Sequence, residues 1–481
     1  MTASMPMTLV LDVGKTHAKL LLIDDTGEVV SRQTHVNQPV QTENYTALGT
    51  ASLASWLASA IVALPDRQQI RDLSITTHGA AFCLMDEQGL ITPPMDYEWD
   101  GYGPMRETWQ QQASLFEETG SPALPLGLNA GLQLAWFKHT QPAAWNQVRH
   151  ILPYPQYWGW WFTGEWASEI SSLGCHTHLW APHESSFSSW AWREGFDRWI
   201  PPLRNAWAPL GHLRRSWAQA WQLPPDLTVR VGAHDSNACL ARYLHTVPGA
   251  TVVSTGTWVV VMATHGQPVA LEARRDELLN VNVEGASVPT GRFMGGREYA
   301  FLAGDADPAL GTVERLIQVL RLGWRASPAF SPAGGPYAGQ RGQVWRHGQS
   351  QALEDVPKAL RPALAALYAA EITVNIIQHL NPARPMPVIL EGPLAYNESY
   401  VAAVAAMLKD QPVWRSNDSL EGTARGAWML AQWSTRRTFQ TGLSLIKPDE
   451  QVAQSLSIHH EPYAAHPHPR LAASALPRQG S

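Results

Sequence analysis

The sequence predicts an α/β chain of two similar domains sharing a cleft, and three observations predict it. The chain has 481 residues, whereas single cores stop growing near about 250–300 residues. Apolar strand patterns alternate with helical ones along it. Finally, "TLVLDVGKTHAKLLLI" is echoed half a chain later by "ATVVSTGTWVVVMA". Each reads as an apolar strand, a small-polar-glycine turn and a second apolar strand, the pattern a duplication at half-chain spacing leaves.

Composition narrows the class. With 45% hydrophobic and 16% charged residues the chain reads as globular. A net charge of −6 supplies no basic face for nucleic acid or anionic membrane and predicts a small-molecule partner. Cys83, Cys175 and Cys239 are odd in number and far apart, which argues against a disulfide framework or a CxxC metal site and suits a reducing cytosol. The start, "MTASMPM", lacks the basic and long apolar regions of a signal peptide. No uncharged apolar run reaches the roughly 18 residues of a membrane span. The expectation is a cytoplasmic protein, monomer or homodimer.

Taken in order, "TLVLDVG", "AKLLLID" and "EVVSRQTHV" form a meander. "YTALGTASLASWLASAIVAL" reads as a helix, and "IRDLSITTHGAAFCLMDEQG" returns to strands. The tryptophan- and proline-rich stretch from Trp99 to Pro225 is expected to be mostly helical. Strands reappear through "LTVRVGAHDSNACLARYLHTVPGATVVSTGTWVVVMATHG". A long helix "RPALAALYAAEITVNIIQHL", a strand "MPVILEG" and helices "YVAAVAAMLKD" and "EGTARGAWMLAQW" follow. This places the domains at 1–245 and 246–440, with a disordered tail at 458–481 that has no apolar period.

The first turn, "DVGKTHAK", contains Gly-Lys-Thr but not a P-loop. That motif needs a glycine five positions before the second one, where this chain has Leu9, and a helix afterwards, where this chain has another strand. Two such hairpin turns facing each other can nonetheless hold a triphosphate: glycine admits the backbone, amides and hydroxyls donate, and an acid holds the metal. Asp12, Gly14, Thr16 and Lys19 fit the first turn; Ser254, Thr255, Gly256 and Thr257 fit the second. Either turn alone reads equally as an ordinary hairpin.

The third element is "GAHDSNACLARYL". Asp235 falls at the N-cap or first turn of a helix through Cys239 and Leu244. It is a cap or a functional carboxylate: phosphoryl transfer to a hydroxyl needs one acid to orient the nucleophile and accept its proton, and a helix N-terminus favours the migrating anion.

"DVGKTHAK", "THGAAFCLMDEQG", "GAHDSNACL", "STGTW" and "EGTARGAWMLA" occur in the order seen in FGGY carbohydrate kinases, which the chain resembles from about Leu9 to Trp433. "HDS", "STGTW" and "LPYPQYWGWWFTGEWASEISS" are most similar to rhamnulokinase- and fuculokinase-type members. The resemblance implies two ribonuclease-H-like domains of the actin/hexokinase ATPase type, with ATP, Mg²⁺ and sugar in the interdomain cleft. It makes Asp235 the catalytic base and assigns the metal to Asp12, with Asp235 as a second carboxylate. It puts Gly14, Lys15, Thr16, Lys19, Thr255, Gly256, Thr257, Gly392 and Asn397 on the nucleotide. It puts His78, Gly79, Glu98, Asp100 and His234 on the sugar.

Four positions depart from the family pattern. Lys15 stands where a small hydroxyl residue or alanine is usual, which adds a possible phosphate contact. The sugar loop usually reads Asp-x-Arg, whereas "DYEWDGYG" offers Glu98 and Asp100 without arginine. The adenosine loop "EGPLAYN" keeps only Gly392 of a glycine triplet and has Asn397 one residue late. Val283 replaces a sugar-contacting asparagine.

The 22 tryptophans are expected mainly as packing, with Trp99 and Trp258 as candidate sugar platforms. His459, His460, His466 and His468 lie in a tail too irregular to hold a metal. His176 and His178 alternate as on a strand face and, without a third ligand, read as structural. The expected activity is an ATP-dependent kinase of a small ketose, such as the 6-deoxyhexuloses L-rhamnulose or L-fuculose. The alternatives are a pentulose, polyol or aldose kinase, or a non-catalytic nucleotide or sugar sensor.

Overall fold

The computed structural model describes residues 6–265, 269–332, 334–382, 385–418, 422–435 and 442–459. Its first hairpin pairs β1 (Met7–Val13) with β2 (His17–Asp24) antiparallel, Asp12 opposite Lys19. The turn is closed by the Gly14 amide donating to the His17 carbonyl at 2.9 Å. Thus the segment after Gly-Lys-Thr is a strand. Leu9, Val10, Leu11 and Val13 are all 0–1% exposed, as expected where a continuous apolar run is covered on both faces.

Outward from β1, β2 is followed by β3 (Val29–Val36), antiparallel. On its other side β1 pairs in parallel with β4 (Ile70–Thr77). β5 (Pro209–His212) and β6 (Thr228–Arg230) complete this sheet, and the short β7 (Ala233–His234) pairs with β4 just before helix α1 (Asp235–Leu244).

The second sheet repeats the plan with β8 (Thr251–Thr255), β9 (Val259–Ala263), β10 (Glu277–Val281), β11 (Ser287–Phe293), β12 (Val388–Glu391), β13 (Val413–Ser416) and β14 (Leu443–Ile446). Reading β3-β2-β1-β4-β6-β5 against β11-β9-β8-β12-β13-β14, every pairing has the same sense: antiparallel, antiparallel, parallel, parallel, antiparallel. The half-chain echo in the sequence is therefore one topology built twice, as the ribonuclease-H-like expectation requires.

Between the sheets in sequence, the tryptophan-rich stretch is a mosaic of short helices, such as Tyr154–Thr163 and Ala130–Thr140, with short strands and irregular chain. It is less helical than expected, but its rings do pack: Trp158 and Trp190 are among the largest fully buried side chains. The helical stretch Lys358–Leu380, which contains the helix Arg361–Leu380, is long and apolar enough to span a membrane, yet most of it is buried in the second domain's core.

Helix α2 (Gly422–Ala431) lies within the sequence expected to form the second domain, but its apolar face covers the first sheet. Ala424, Ala427 and Trp428 share a core with Val10, Leu21, Ile23 and Ala238. Gly426 is what permits this crossing, because a Cβ there would stand 1.8 Å from the Ala238 carbonyl oxygen of α1. Gly426→Ala is expected to cost about 1–3 kcal/mol through overpacking, read as a lower midpoint in urea; an unchanged midpoint would show that the helices can part freely. The last helix runs to His459, so Ile458 and His459 are helical, against the expected tail boundary. His460, His466 and His468 lie outside the described residues.

Candidate active site

The first hairpin divides the cleft into two sides. On one side is a cavity of about 140 Å³ with walls from both domains. The first hairpin contributes Asp12 and Lys19, and α1 contributes Cys239 and Arg242. Ser254 and Thr255 come from β8, Glu391 and Gly392 from the end of β12, and Gly422 and Thr423 from the start of α2. The strands flanking the two glycine turns thus line one cavity. A larger cavity of about 320 Å³ between Ile377 and Gln411 shares no residue with either turn.

Asp12 is the penultimate residue of the central strand and is 8% exposed. Asp12 and Ser254 line the same cavity and offer hard oxygens of the kind Mg²⁺ takes beside phosphate oxygens and water. Among the described residues no three His, Cys, Asp or Glu side chains gather into a cage. The residues fit a cation shared with a bound phosphate chain rather than one held by protein alone.

Asp235 is the first residue of α1, and His234 is its N-cap. Asp235, Cys239 and Arg242, at i, i+4 and i+7, share one helix face, so the carboxylate sits on the face that walls the cavity. Its Oδ1 accepts from the Ser236 amide at 2.6 Å and the Ser236 hydroxyl at 3.2 Å, and lies 3.1 Å from His234 Nε2. Asp235 does not itself line the Asp12 cavity.

Deeper in the wall, Arg242 of the first domain pairs with Glu391 of the second. The Glu391 carboxylate also accepts from Cys239 Sγ at 2.8 Å and the Tyr243 hydroxyl at 3.0 Å. Burial, together with the Glu391 charge, holds the Cys239 thiol protonated. Nothing in the local sequence signals this pair, whose partners are 149 residues apart.

On the other side of the hairpin, His78 follows β4 and is buried, its Nδ1 2.8 Å from the Gly79 carbonyl. Tyr97 and Tyr154 pack against its ring at centroid separations of 5.5 and 5.3 Å. Burial lowers its pKa, opposed by the Gly79 carbonyl and the charges of Asp235 and Asp96. His78, Lys15, Asp96 and Tyr154 line one small recess.

Lys15 was expected on the phosphates, but the structure turns it to this side. Its Nζ lies 2.8 Å from Asp96 Oδ2 and 3.2 Å from Glu98 Oε2. The physical reason is Asp96, whose carboxylate is 2% exposed and needs a cation. Asp96 was not among the expected site residues; its one sequence signal is an acid wedged between Met95 and Tyr97. Glu98 is thereby tied to Lys15. Asp100 is exposed and ion-paired with Arg106, so an arginine does reach this loop, from the helix Met105–Gln112.

The second turn shows a similar division of labour. The buried Thr255 hydroxyl donates to the Glu391 carbonyl at 2.6 Å and accepts from the Leu394 amide at 3.0 Å, so it pins the loop after β12. Thr16, Gly256 and Thr257 are exposed at the two turn tips. Gly392 has φ +83° and passes so close to the second turn that a Cβ would stand 2.0 Å from the Thr255 carbonyl oxygen. Asn397 caps the helix Glu398–Met407, its Oδ1 accepting from the Tyr400 amide at 3.0 Å while its amide donates to the Tyr299 hydroxyl at 3.1 Å. That side chain is committed to holding the loop.

Behind Asp235, the buried Cys175 Sγ stands 3.6 Å from His234 Nε2. Burial disfavours both charges, but His176 and His234 pull the Cys175 thiol down to about 5, and Cys175 and Asp235 lift His234 to about 9. His176 and His178 follow in a turn with φ of +43° and +62° instead of a strand. His176 Nδ1 is 2.7 Å from the Leu128 carbonyl, and His178 packs on Trp109. Trp99 packs among Tyr45, Tyr102 and Trp136, and Trp258 under the Arg292 guanidinium, so each candidate platform has a protein partner.

Comparison with known proteins agrees with the two-domain fold. Residues 7–241 match the N-terminal domain of the FGGY family of carbohydrate kinases, and residues 248–438 match the C-terminal domain of carbohydrate kinase FGGY. An L-fuculokinase of Salmonella typhi is 27% identical over 277 residues, covering 54% of this chain. The match spans 57% of that protein, little more than half its length. The crystal structure of a carbohydrate kinase from Novosphingobium aromaticivorans is 32% identical, with a TM-score of 0.83 over 92% of this chain and 95% of that one. A ligand-bound xylulose kinase from Lactobacillus acidophilus shares the fold at 13% identity, with a TM-score of 0.76 over 94% and 96% of the two chains.

Proposed function

The chain belongs to the FGGY family of carbohydrate kinases, and from that premise we propose that it transfers the γ-phosphoryl group of ATP to a small ketose. The acceptor in this reading is a 6-deoxyhexulose, L-fuculose or L-rhamnulose, and the reacting group is its terminal primary hydroxyl. The single observation that carries the reading is the shared face of α1. Asp235 begins the helix whose Cys239 and Arg242, on the same face at i+4 and i+7, wall the cavity that the strands flanking both glycine turns also line.

In the proposed reaction, Asp235 orients the acceptor hydroxyl and takes its proton as the oxygen attacks phosphorus. Lys19 and the turn amides steady the charge on the phosphate oxygens. Asp12 would hold Mg²⁺, which neutralises phosphate charge when bound. His78, Asp96 and Lys15 shape the acceptor recess. Closure of the two domains would exclude water, which otherwise competes for the γ-phosphoryl group. A cytoplasmic setting, where three buried free cysteines stay reduced, belongs to the same reading.

The L-fuculokinase relative favours a 6-deoxyhexulose. A coupled ADP-release assay with a panel of ketoses, aldoses and polyols tests this. The expected result is kcat/KM highest for L-fuculose or L-rhamnulose. Highest turnover on a pentulose, polyol or aldose would overturn the substrate assignment, and sugar binding without sugar-stimulated ADP release would overturn the enzyme.

A further inference from the structure

His234 was expected beside the sugar, but its contacts run to the carboxylate of Asp235. Nε2 lies 3.1 Å from Asp235 Oδ1 and 3.6 Å from Cys175 Sγ, while Nδ1 meets the side-chain amide of Asn237 at 3.3 Å. The hydrogen-bond partner of Nε2 is the Cys175 sulfur, and the same edge of the ring lies against the acceptor-only carboxylate oxygen. The backbone behind the ring is also held, since the His234 amide donates to Ser171 Oγ at 3.2 Å and that hydroxyl donates to buried Glu169 at 2.6 Å. Gly79 leaves the space the ring fills: a Cβ there would stand 2.9 Å from His234 Nε2 and 3.5 Å from Cys175 Sγ.

The consequence falls on the two oxygens of Asp235. Oδ1 accepts from the Ser236 amide and the Ser236 hydroxyl, and His234 Nε2 lies 3.1 Å from it as an ion-pair contact. Among the described residues none bonds Oδ2. A carboxylate fixed through one oxygen presents the other in one direction.

We propose that His234 is a positioning residue for the transfer: its ring, hydrogen-bonded to Cys175 at Nε2, lies against Asp235 Oδ1 and holds the carboxylate so that Oδ2 faces the acceptor hydroxyl. This rests on the reading of Asp235 as the base. Proton transfer by a well-placed group contributes about 10²–10⁴-fold to rate, and misplacing it forfeits part of that.

The test uses the full chain with its best acceptor and follows kcat, acceptor KM and ATP Kd. His234→Leu is expected to lower kcat by about tenfold or more, with KM and Kd within about twofold. His234→Gln, whose amide reaches the Nε2 position, recovers kcat to within about threefold of the parent. His234→Asn carries the same amide one carbon shorter and stays as slow as His234→Leu; the Gln–Asn contrast decides the matter even where His234→Leu does not fold. Cys175→Ala lowers kcat by about threefold and Cys175→Ser restores it, as loss and return of a polar brace require.

A raised acceptor KM with kcat kept in His234→Leu would make the ring a sugar contact and overturn the proposal. Equal rates for His234→Gln and His234→Asn would also overturn it. Full kcat in His234→Leu beside an inactive Asp235→Asn overturns this proposal alone, whereas full kcat in Asp235→Asn overturns the base reading and this proposal with it.

Discussion

Asp235→Asn is expected to lower kcat by about 10²–10⁴-fold while ATP binds with an unchanged Kd. The substitution keeps the shape of the side chain and an acceptor for the Ser236 amide that now bonds Oδ1 at 2.6 Å. What it removes is the basicity needed to take the acceptor's proton. The nucleotide readout should be quiet because Asp235 lies outside the Asp12–Lys19–Ser254 cavity. Single-turnover kinetics with saturating ATP and acceptor, alongside ATP titration by calorimetry, separate the two quantities. A variant turning over near the parent rate would eliminate Asp235 as base, and one that had lost ATP affinity would place it among the nucleotide contacts instead.

The second large effect is expected at the domain junction. Arg242 and Glu391 are 1% and 3% exposed and pair across the boundary between helix α1 and strand β12. Such a pair gives little net stability in itself, because desolvation opposes the Coulomb attraction. Removing one partner, however, strands the other charge in a low dielectric. Arg242→Met should therefore cost about 3–5 kcal/mol, measured by urea unfolding, with the Cys239 thiol and Tyr243 hydroxyl unable to replace the cation. Arg242→Met combined with Glu391→Leu should recover most of the loss, since no buried charge then remains. If the single variant unfolds within about 1 kcal/mol of the parent, water reaches Glu391 and the pair is not desolvated as described.

Much of the architecture was legible because it is written locally. Apolar runs such as Leu20–Ile23 specify strands buried on both faces, and a Gly-Lys-Thr without the earlier glycine or a following helix reads as a hairpin turn. The echo between "LDVGKTHAKLLLI" and "VVSTGTWVVVMA" foretold two sheets with the same order of pairings. The position of Asp235 followed from Gly232 and Ala233 ahead of a helical pattern. It was the geometry of α1, however, that turned Asp235 to the face shared with Cys239 and Arg242.

The sequence by itself determined the order of strands and turns, the duplication and the family, because periodicity, turn chemistry and motif order are properties of neighbours along the chain. Only the tertiary structure decided which long side chains meet. Lys15 left the phosphate turn for buried Asp96, 81 residues away; Arg106 reached Asp100; Cys175 came to rest behind His234. Lys and Arg carry flexible stems that span several ångströms, and a buried carboxylate captures whichever cation the fold delivers. That choice is made by packing across the molecule, and no pattern of adjacent residues records it.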